Sequence, residues 1–321
     1  MNINKKQIYL KEYIYLDWNI FQYIKNPRND SDILFKNILK VIKKKYYFPY
    51  SEGHLQDLAK SFKPENKEYI KEDLSLIKKV TDEHILGIDR EKIVITKYSS
   101  EKLFEEILNE KKSVLDVKKI KDLNMINIVN VKSFDEKNPL YDFVCKKKGI
   151  YTNEELYLEG WSIFLNMLDN FKSYKDFRNY IMNEFEFSNN FNDEYIQNMK
   201  PFFDALKCTD EEKLKDNWEN VIKSWLKNTN NDDNINLGLM ITISYILLDY
   251  HPNFKEKLKK NNKLDNIRRD SKHIYFASNA KYMVSEDENI IKKAKFIYKV
   301  FNINTKVISM NEFITKFRDS F

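Results

Sequence analysis

Two acidic stretches near the ends of the chain carry the residues best suited to chemistry. The first is Ile14-Tyr15-Leu16-Asp17-Trp18-Asn19, an apolar run that ends in a carboxylate. The second begins at Asp270-Ser271-Lys272-His273 and continues through Met283-Val284-Ser285-Glu286-Asp287. Open α/β sheets build their sites at the carboxyl ends of strands. Carboxylates brought there from distant parts of a chain are hard oxygen donors of the kind that Mg²⁺ or Mn²⁺ requires. A cation held that way can activate water and neutralise charge on a phosphodiester. Zinc-type Cys/His spacing, a G-x-S-x-G elbow and a Gly-rich phosphate loop are all lacking in the sequence.

The elements that must position these residues can be read from periodicity. Gln7–Leu16 has strand character, and Trp18–Lys25 starts a helix that Pro27 stops. Ser31 or Asp32 can cap a second helix running to Lys44, with Ile33, Leu34, Ile38, Leu39, Val41 and Ile42 at helical spacing. Tyr46–Tyr50 reads as a second strand, and Ser51 caps a helix carrying Glu52, His54 and Asp57. From about Ser61 to Asn230 the texture is helical, with stripes such as Trp161-Phe164-Leu165-Leu168 and Trp218-Val221-Ile222-Trp225-Leu226. Lys92–Thr96 and Ile126–Val131 could be short edge strands. A polar run, Asn228–Asn236, reads as a linker. Then follow a buried helix at Leu237–Tyr250, a helix at Asp270–Asn279, a strand at Tyr282–Ser285, a helix at Glu288–Phe301, a last strand at Thr305–Ser309 and a terminal helix. The expected organisation is an α/β core, residues 1–60 plus 235–321, interrupted by a mainly α-helical insertion over 61–234.

Four motifs in order carry a resemblance to the PIN-domain nuclease family. A strand ends in Asp17-x-Asn19. Ser51 is followed six residues later by Asp57-Leu58, where the family carries Glu. Asp270 opens a helix with His273, and Val284-Ser285-Glu286-Asp287 is similar to the family's strand-Ser/Thr-x-Asp position. The matched stretches are Gln7–Leu58 and Leu237–Ser309, under half the chain. The resemblance implies a PIN-like parallel sheet with flanking helices. It also implies a Mg²⁺- or Mn²⁺-dependent endoribonuclease with Asp17, Asp57, Asp270 and Asp287 as catalytic acids, and Asp17, Asp270 and Asp287 on the metal. Asn19, Ser285, His54, His273 and Glu52 would support them. Glu52 competes with Asp57 as the second acid; five residues apart, they point about 140° away from each other on a helix, and the motif spacing favours Asp57. Asp270 and Asp287 could each serve instead as plain helix caps.

Composition sets the bounds. The chain has 321 residues with 42% hydrophobic and 32% charged, so a globular core is expected rather than disorder. Five glycines and six prolines favour helices over an all-β fold. The net charge of +6 is compatible with a nucleic-acid partner. Between Lys255 and Lys272 lie eight Lys or Arg against three acids, and Arg268, Arg269 and Lys272 could guide a phosphate backbone to the metal. Cys145 and Cys208 have no C-x-x-C spacing, which fits a cytoplasmic protein. The longest apolar stretch is too short for a bilayer, so no membrane partner is expected. The substrate expected is RNA, with single-stranded DNA as a rival. Intracellular nucleases of this kind are often toxins or defence effectors, and the insertion would offer a surface to a regulatory protein. The rival from another class is a degenerate PIN-like scaffold that binds protein or RNA without cutting.

Overall fold

The computed structural model describes residues 12–90, 92–117, 174–183, 194–227, 235–257 and 264–320. The expected strand Ile126–Val131, the stripe at Trp161–Leu168, Cys145, the first residues of the Gln7–Leu16 strand and most of the polar linker lie outside them. The chain divides into two compact units, residues 1–119 with 268–321, and residues 120–267.

The first unit opens with strand β1 (Ile14–Leu16), helix α1 (Trp18–Lys25), helix α2 (Asp30–Ile42), helix α3 (Glu52–Ser61) and helix α4 (Lys67–Thr81). A hairpin of β2 (His84–Asp89) and β3 (Lys92–Lys97) follows, then helix α5 (Ser100–Val117). The described part of the second unit is helical: α6 (Tyr174–Asn183), α7 (Glu194–Leu206), α8 (Glu211–Lys227) and α9 (Leu237–Leu248). Helix α10 (Leu264–Ala277) leads back into the first unit, which ends with β4 (Tyr282–Val284), α11 (Glu288–Val300), β5 (Lys306–Ile308) and α12 (Met310–Phe317).

Strands β1, β4 and β5 form a parallel sheet in the order β1-β4-β5, with Leu16 opposite Val284 and Val284 opposite Ile308. The chain is therefore mixed α/β and mostly helical, around a small parallel sheet. Strand residues alternate between faces. Ile14, Leu16, Tyr282 and Val284 enter a core cluster with Phe21, Phe35 and Phe313 from α1, α2 and α12. On the other face Tyr13 donates to the Phe276 carbonyl of α10, and Tyr298 of α11 donates to the Ile274 carbonyl. The sheet is covered on both sides, which is why β1 and β4 lack charged residues and are buried throughout.

Three expectations are corrected. Tyr46–Tyr50 is not a regular strand but makes isolated parallel bridges, Tyr13 to Tyr47 and Tyr50 to Ile85. Pro49 has no N–H to donate and interrupts the ladder. The β2–β3 hairpin is a separate two-stranded antiparallel sheet that the second bridge places beside Tyr50, and residues 62–119 pack in the first unit rather than in the insertion expected over 61–234. Helix α2 starts earlier than expected, capped by Asn29 rather than Ser31 or Asp32. Asp32 instead takes a forked ion pair from Arg28. In the second unit the stripe Trp218, Val221, Ile222, Trp225 and Leu226 is buried as its spacing predicts, and Trp218 donates to Ser244 of α9. A buried ion pair joins Arg178 of α6 to Asp249 at 2.9 Å. Among the described residues no helix is long and apolar enough to cross a membrane.

Candidate functional site

Four helices begin at or just beyond the carboxyl ends of the parallel strands and the Tyr46–Tyr50 segment. Asp17 precedes α1, Ser51 precedes α3, Asp287 precedes α11 and Ser309 precedes α12. Helix N-termini present unpaired N–H groups, which favours oxygen-bearing side chains at this edge.

Asp17 is buried, 3% exposed, and both its oxygens are engaged. Oδ1 accepts the Trp18 N–H at 2.7 Å. Oδ2 accepts the Ser285 hydroxyl at 2.7 Å and the Asn19 amide at 3.0 Å. Ser285 directly follows the neighbouring strand, and its Oγ also accepts the Asp287 N–H at 3.1 Å. The pairing of β1 with β4 is thus what brings residues 17, 19, 285 and 287 together. Asp287 caps α11, with Oδ1 accepting the N–H groups of Asn289 and Ile290. Glu286, beside it, accepts the Met310 N–H.

A second set of groups meets Asp17 from α3 and α10. His273 is 1% exposed; its Nδ1 lies 3.9 Å from Asp17 Oδ1, and its Nε2 donates to Asp57 Oδ2 at 3.0 Å. Asp57 Oδ1 accepts from Arg269 Nε at 2.9 Å. Helical spacing explains the pairing, because residues 269 and 273 are four apart and lie on one face of α10. Gly53 makes room for the imidazole; a Cβ there would stand 3.2 Å from His273 Cε1 and Nε2.

Behind His273 runs a buried chain of hydrogen bonds. Tyr15 Oη lies 2.7 Å from His273 Nδ1 and 2.8 Å from Ser51 Oγ, which is 3.1 Å from His54 Nδ1. The Ser51 backbone N–H donates to His54 Nδ1 at 3.0 Å, so that nitrogen is an acceptor and Nε2 carries the proton. Nε2 donates to the Leu16 carbonyl at 2.7 Å. His54 therefore stands at the third position of a capping box, where Glu or Gln is usual. With His273 doubly protonated, donation runs from His273 to Tyr15, from Tyr15 to Ser51 and from Ser51 to His54, and every polar hydrogen is placed.

The electrostatics follow from burial and partners. Burial opposes a charged His273, yet its hydrogen bond to Asp57 and the charges of Asp17, Asp57 and Asp270 outweigh it, and its pKa is raised. Burial also pushes Asp57 up, but His273 and Arg269 bring it below the usual carboxylate range. Asp17 is held above that range by burial, only partly offset by His273, Ser285 and the Trp18 N–H. His54 is pushed down to about 3, by burial first and then by the charge of His273.

The structure thus arranges Asp17, Asp57 and Asp270 around His273 and links Asp287 to Asp17 through Ser285. The acids are interleaved with cations rather than gathered bare. Among the described residues no group of three or more His, Cys, Asp or Glu side chains forms a ready metal-ligand set. Asp270 does not open its helix: α10 begins six residues earlier, at Leu264, because Leu264, Ile267 and Ile274 keep a helical pattern that the charges between them obscure. Glu52 pairs with Lys272 at 3.1 Å, away from His273's partner Asp57. Of the basic trio, Arg269 holds Asp57 and Lys272 holds Glu52, while the Arg268 side chain lies outside the described residues. Sequence reasoning missed Tyr15 and Ser51 as members of the site. The signal for Tyr15 was its place two residues before Asp17, on the same face of β1. Comparison with family models, with curated proteins and with solved structures finds no match for this chain.

Proposed function

We propose that this sheet edge is the site of a divalent-metal-dependent endonuclease acting on RNA, in a PIN-like core. One observation carries the reading. Asp17 and Ser285, 268 residues apart, are hydrogen bonded at the ends of adjacent parallel strands, with His273 beside them. The donor chemistry fits a hard cation. Asp17 is a desolvated carboxylate whose raised pKa marks a place where added positive charge is favourable. Asp17 and Asp287 flank Ser285 and would hold the metal, with Asp270 nearby; Asp57, already paired with Arg269 and His273, supports rather than ligates. A bound Mg²⁺ or Mn²⁺ would supply an activated water and neutralise charge on the scissile phosphate. The chain's own residues do the rest. Ser285 and Asn19 fix the Asp17 carboxylate, and Asp57 and Tyr15 fix the His273 ring. His273 holds positive charge at Nδ1 beside Asp17, and the apolar strand ends exclude water from beneath.

The test is digestion of mixed cellular RNA and of single-stranded DNA with Mg²⁺, Mn²⁺ or EDTA. Cleavage of RNA that EDTA abolishes and that Asp17→Asn reduces on the order of a hundredfold or more is expected, as for loss of a charge-stabilising group. Full activity of Asp17→Asn would remove it from the mechanism. The ion pairing of Asp57 favours a second reading, a scaffold that binds RNA without cutting it. RNA binding with no cleavage under any metal would select that reading.

A further inference from the structure

The first unit carries a cleft of about 540 Å³ between α1, α2 and α4, which the site above does not use. Lys25, Lys36, Lys71 and Lys79 surround a floor of Ile24 and Leu76. Two of these ammonium groups are neutralised: Lys25 by Asp73 and Glu72, and Lys71 by Glu68. Lys36 on α2 and Lys79 on α4 have no acidic partner among the described residues and face the cleft from different walls. Like charges directed at one concave surface repel each other, and the arrangement is relieved by a polyanion. A second observation points the same way. Tyr69 of α4 is 67% exposed, more than Ile33, Val41, Ile88 or Leu237, the other large apolar side chains that stand out in solvent. It lies on the same helix as Glu72 and Leu76 of the cleft, three and seven residues before them. An exposed ring on a helix that also carries an unpaired cation is a combination that can stack a base while the backbone is held.

We infer that this cleft binds the ribose-phosphate backbone of single-stranded RNA, with Lys36 and Lys79 on phosphates and Tyr69 under a base. The inference rests on the nuclease reading for its choice of RNA. The geometry connects the two places. Asp17 stands at the start of α1 and Lys25 ends it, eight residues and about 12 Å away. That span lets one strand reach both the sheet edge and the cleft.

The experiment is fluorescence anisotropy of the full chain with an end-labelled uridine 12-mer RNA, in EDTA, over a range of salt. Wild type should bind with affinity that falls steeply with salt. Lys36→Gln/Lys79→Gln should bind about fivefold or more weakly. Its log–log salt slope should be flatter by about 1.4, since each lost phosphate contact on a single strand removes about 0.7. Lys36→Glu/Lys79→Glu should go further, Tyr69→Ala should weaken binding with the slope unchanged, and Lys306→Gln on β5 should match wild type. No binding by wild type, or unchanged affinity and slope in both double variants, would overturn the inference. Tighter binding of a thymidine 12-mer DNA through the same lysines would overturn the assignment to RNA. The two readings fail separately. Lysine-dependent binding without cleavage under any metal retains the cleft and removes the nuclease. Metal-dependent cleavage with wild-type binding in the double variants retains the nuclease and removes the cleft.

Discussion

At the scale of single residues, the neighbours of two buried histidines, His54 and His273, move their pKa values in opposite directions. His54 is neutral because its Nδ1 must accept from the Ser51 N–H and its Nε2 must donate to Leu16. Its folded pKa, about 3, lies below its ordinary value of 6.5, so the unfolded chain takes up the proton first. The stability it contributes is fully present above pH 6.5 and is lost as pH falls toward 3, at up to about 1.4 kcal/mol per pH unit. Gln at this position can keep both hydrogen bonds of the capping box without titrating. Urea unfolding between pH 7 and pH 4 should therefore show a shallower acid-side loss for His54→Gln than for wild type. Identical pH slopes would mean that His54 does not titrate in this window. His273 is the converse case, an imidazole whose pKa Asp57 and the nearby acids raise against the cost of burial. Stability from that charge is present below its ordinary pKa and is lost as pH rises through the raised folded value. Asp57→Asn leaves two partly or fully buried cations without their carboxylate. A loss of about 3 kcal/mol is expected, at the low end for a broken buried pair because Asp57 is partly exposed. An NMR titration should then show the His273 pKa lowered, since burial would act against weaker opposition. An unchanged His273 pKa would show that Asp57 is not what holds the proton.

At the scale of elements, two glycines separate what a helix needs from what the site needs. Gly53 lies in the first turn of α3 and Gly87 in the middle of β2, and neither has a positive φ. Alanine at either position should gain up to about 1 kcal/mol from local propensity alone. At Gly87 nothing lies within 4 Å of the added Cβ, and that gain should appear in chemical denaturation. At Gly53 the methyl would press on a His273 ring that Asp57 and Tyr15 pin on both sides. Overpacking of this kind costs about 1–3 kcal/mol and should reverse the sign; stabilisation by Gly53→Ala would show that the ring can yield. The same contrast explains what was legible beforehand. Asp17 at a strand end, the Ser51 cap and the Ser285 edge are local patterns, and each appears where its neighbours place it. The start of α10 was hidden by charges among its apolar positions. The β2 strand was hidden because His84-Ile85-Leu86-Gly87-Ile88-Asp89 has no clean alternation and contains a glycine. The His273–Asp57 and Tyr15–His273 contacts span 216 and 258 residues, and no spacing rule in one sequence reaches that far.

At the scale of the whole molecule, the order of the strands decides how the chain can be divided. β4 lies between β1 and β5, so the sheet's central strand comes from the last segment and its first strand from the opening one. Residues 1–119 alone contain β1 and the hairpin but lack β4, α10 and the His273 that pairs with Asp57. They would leave β1 with an open hydrogen-bonding edge and its apolar side chains uncovered, which small sheets tolerate poorly. Residues 120–267 form one continuous stretch, with buried apolar stripes and the Arg178–Asp249 pair of their own. The prediction follows from this asymmetry. Residues 1–119 expressed alone should show no cooperative unfolding. The same segment joined to 268–321 by a flexible Gly/Ser linker of about 20 residues, with a root-mean-square span of roughly 25 Å, should unfold cooperatively. In the joined protein the His273 ring protons should respond to Asp57→Asn as they do in the full chain, because every partner of His273 named above lies within it. A cooperative 1–119 fragment would mean that β4 is dispensable to the core. A joined protein that stays unfolded would mean that residues 120–267 contribute to the first unit's stability as well as to their own.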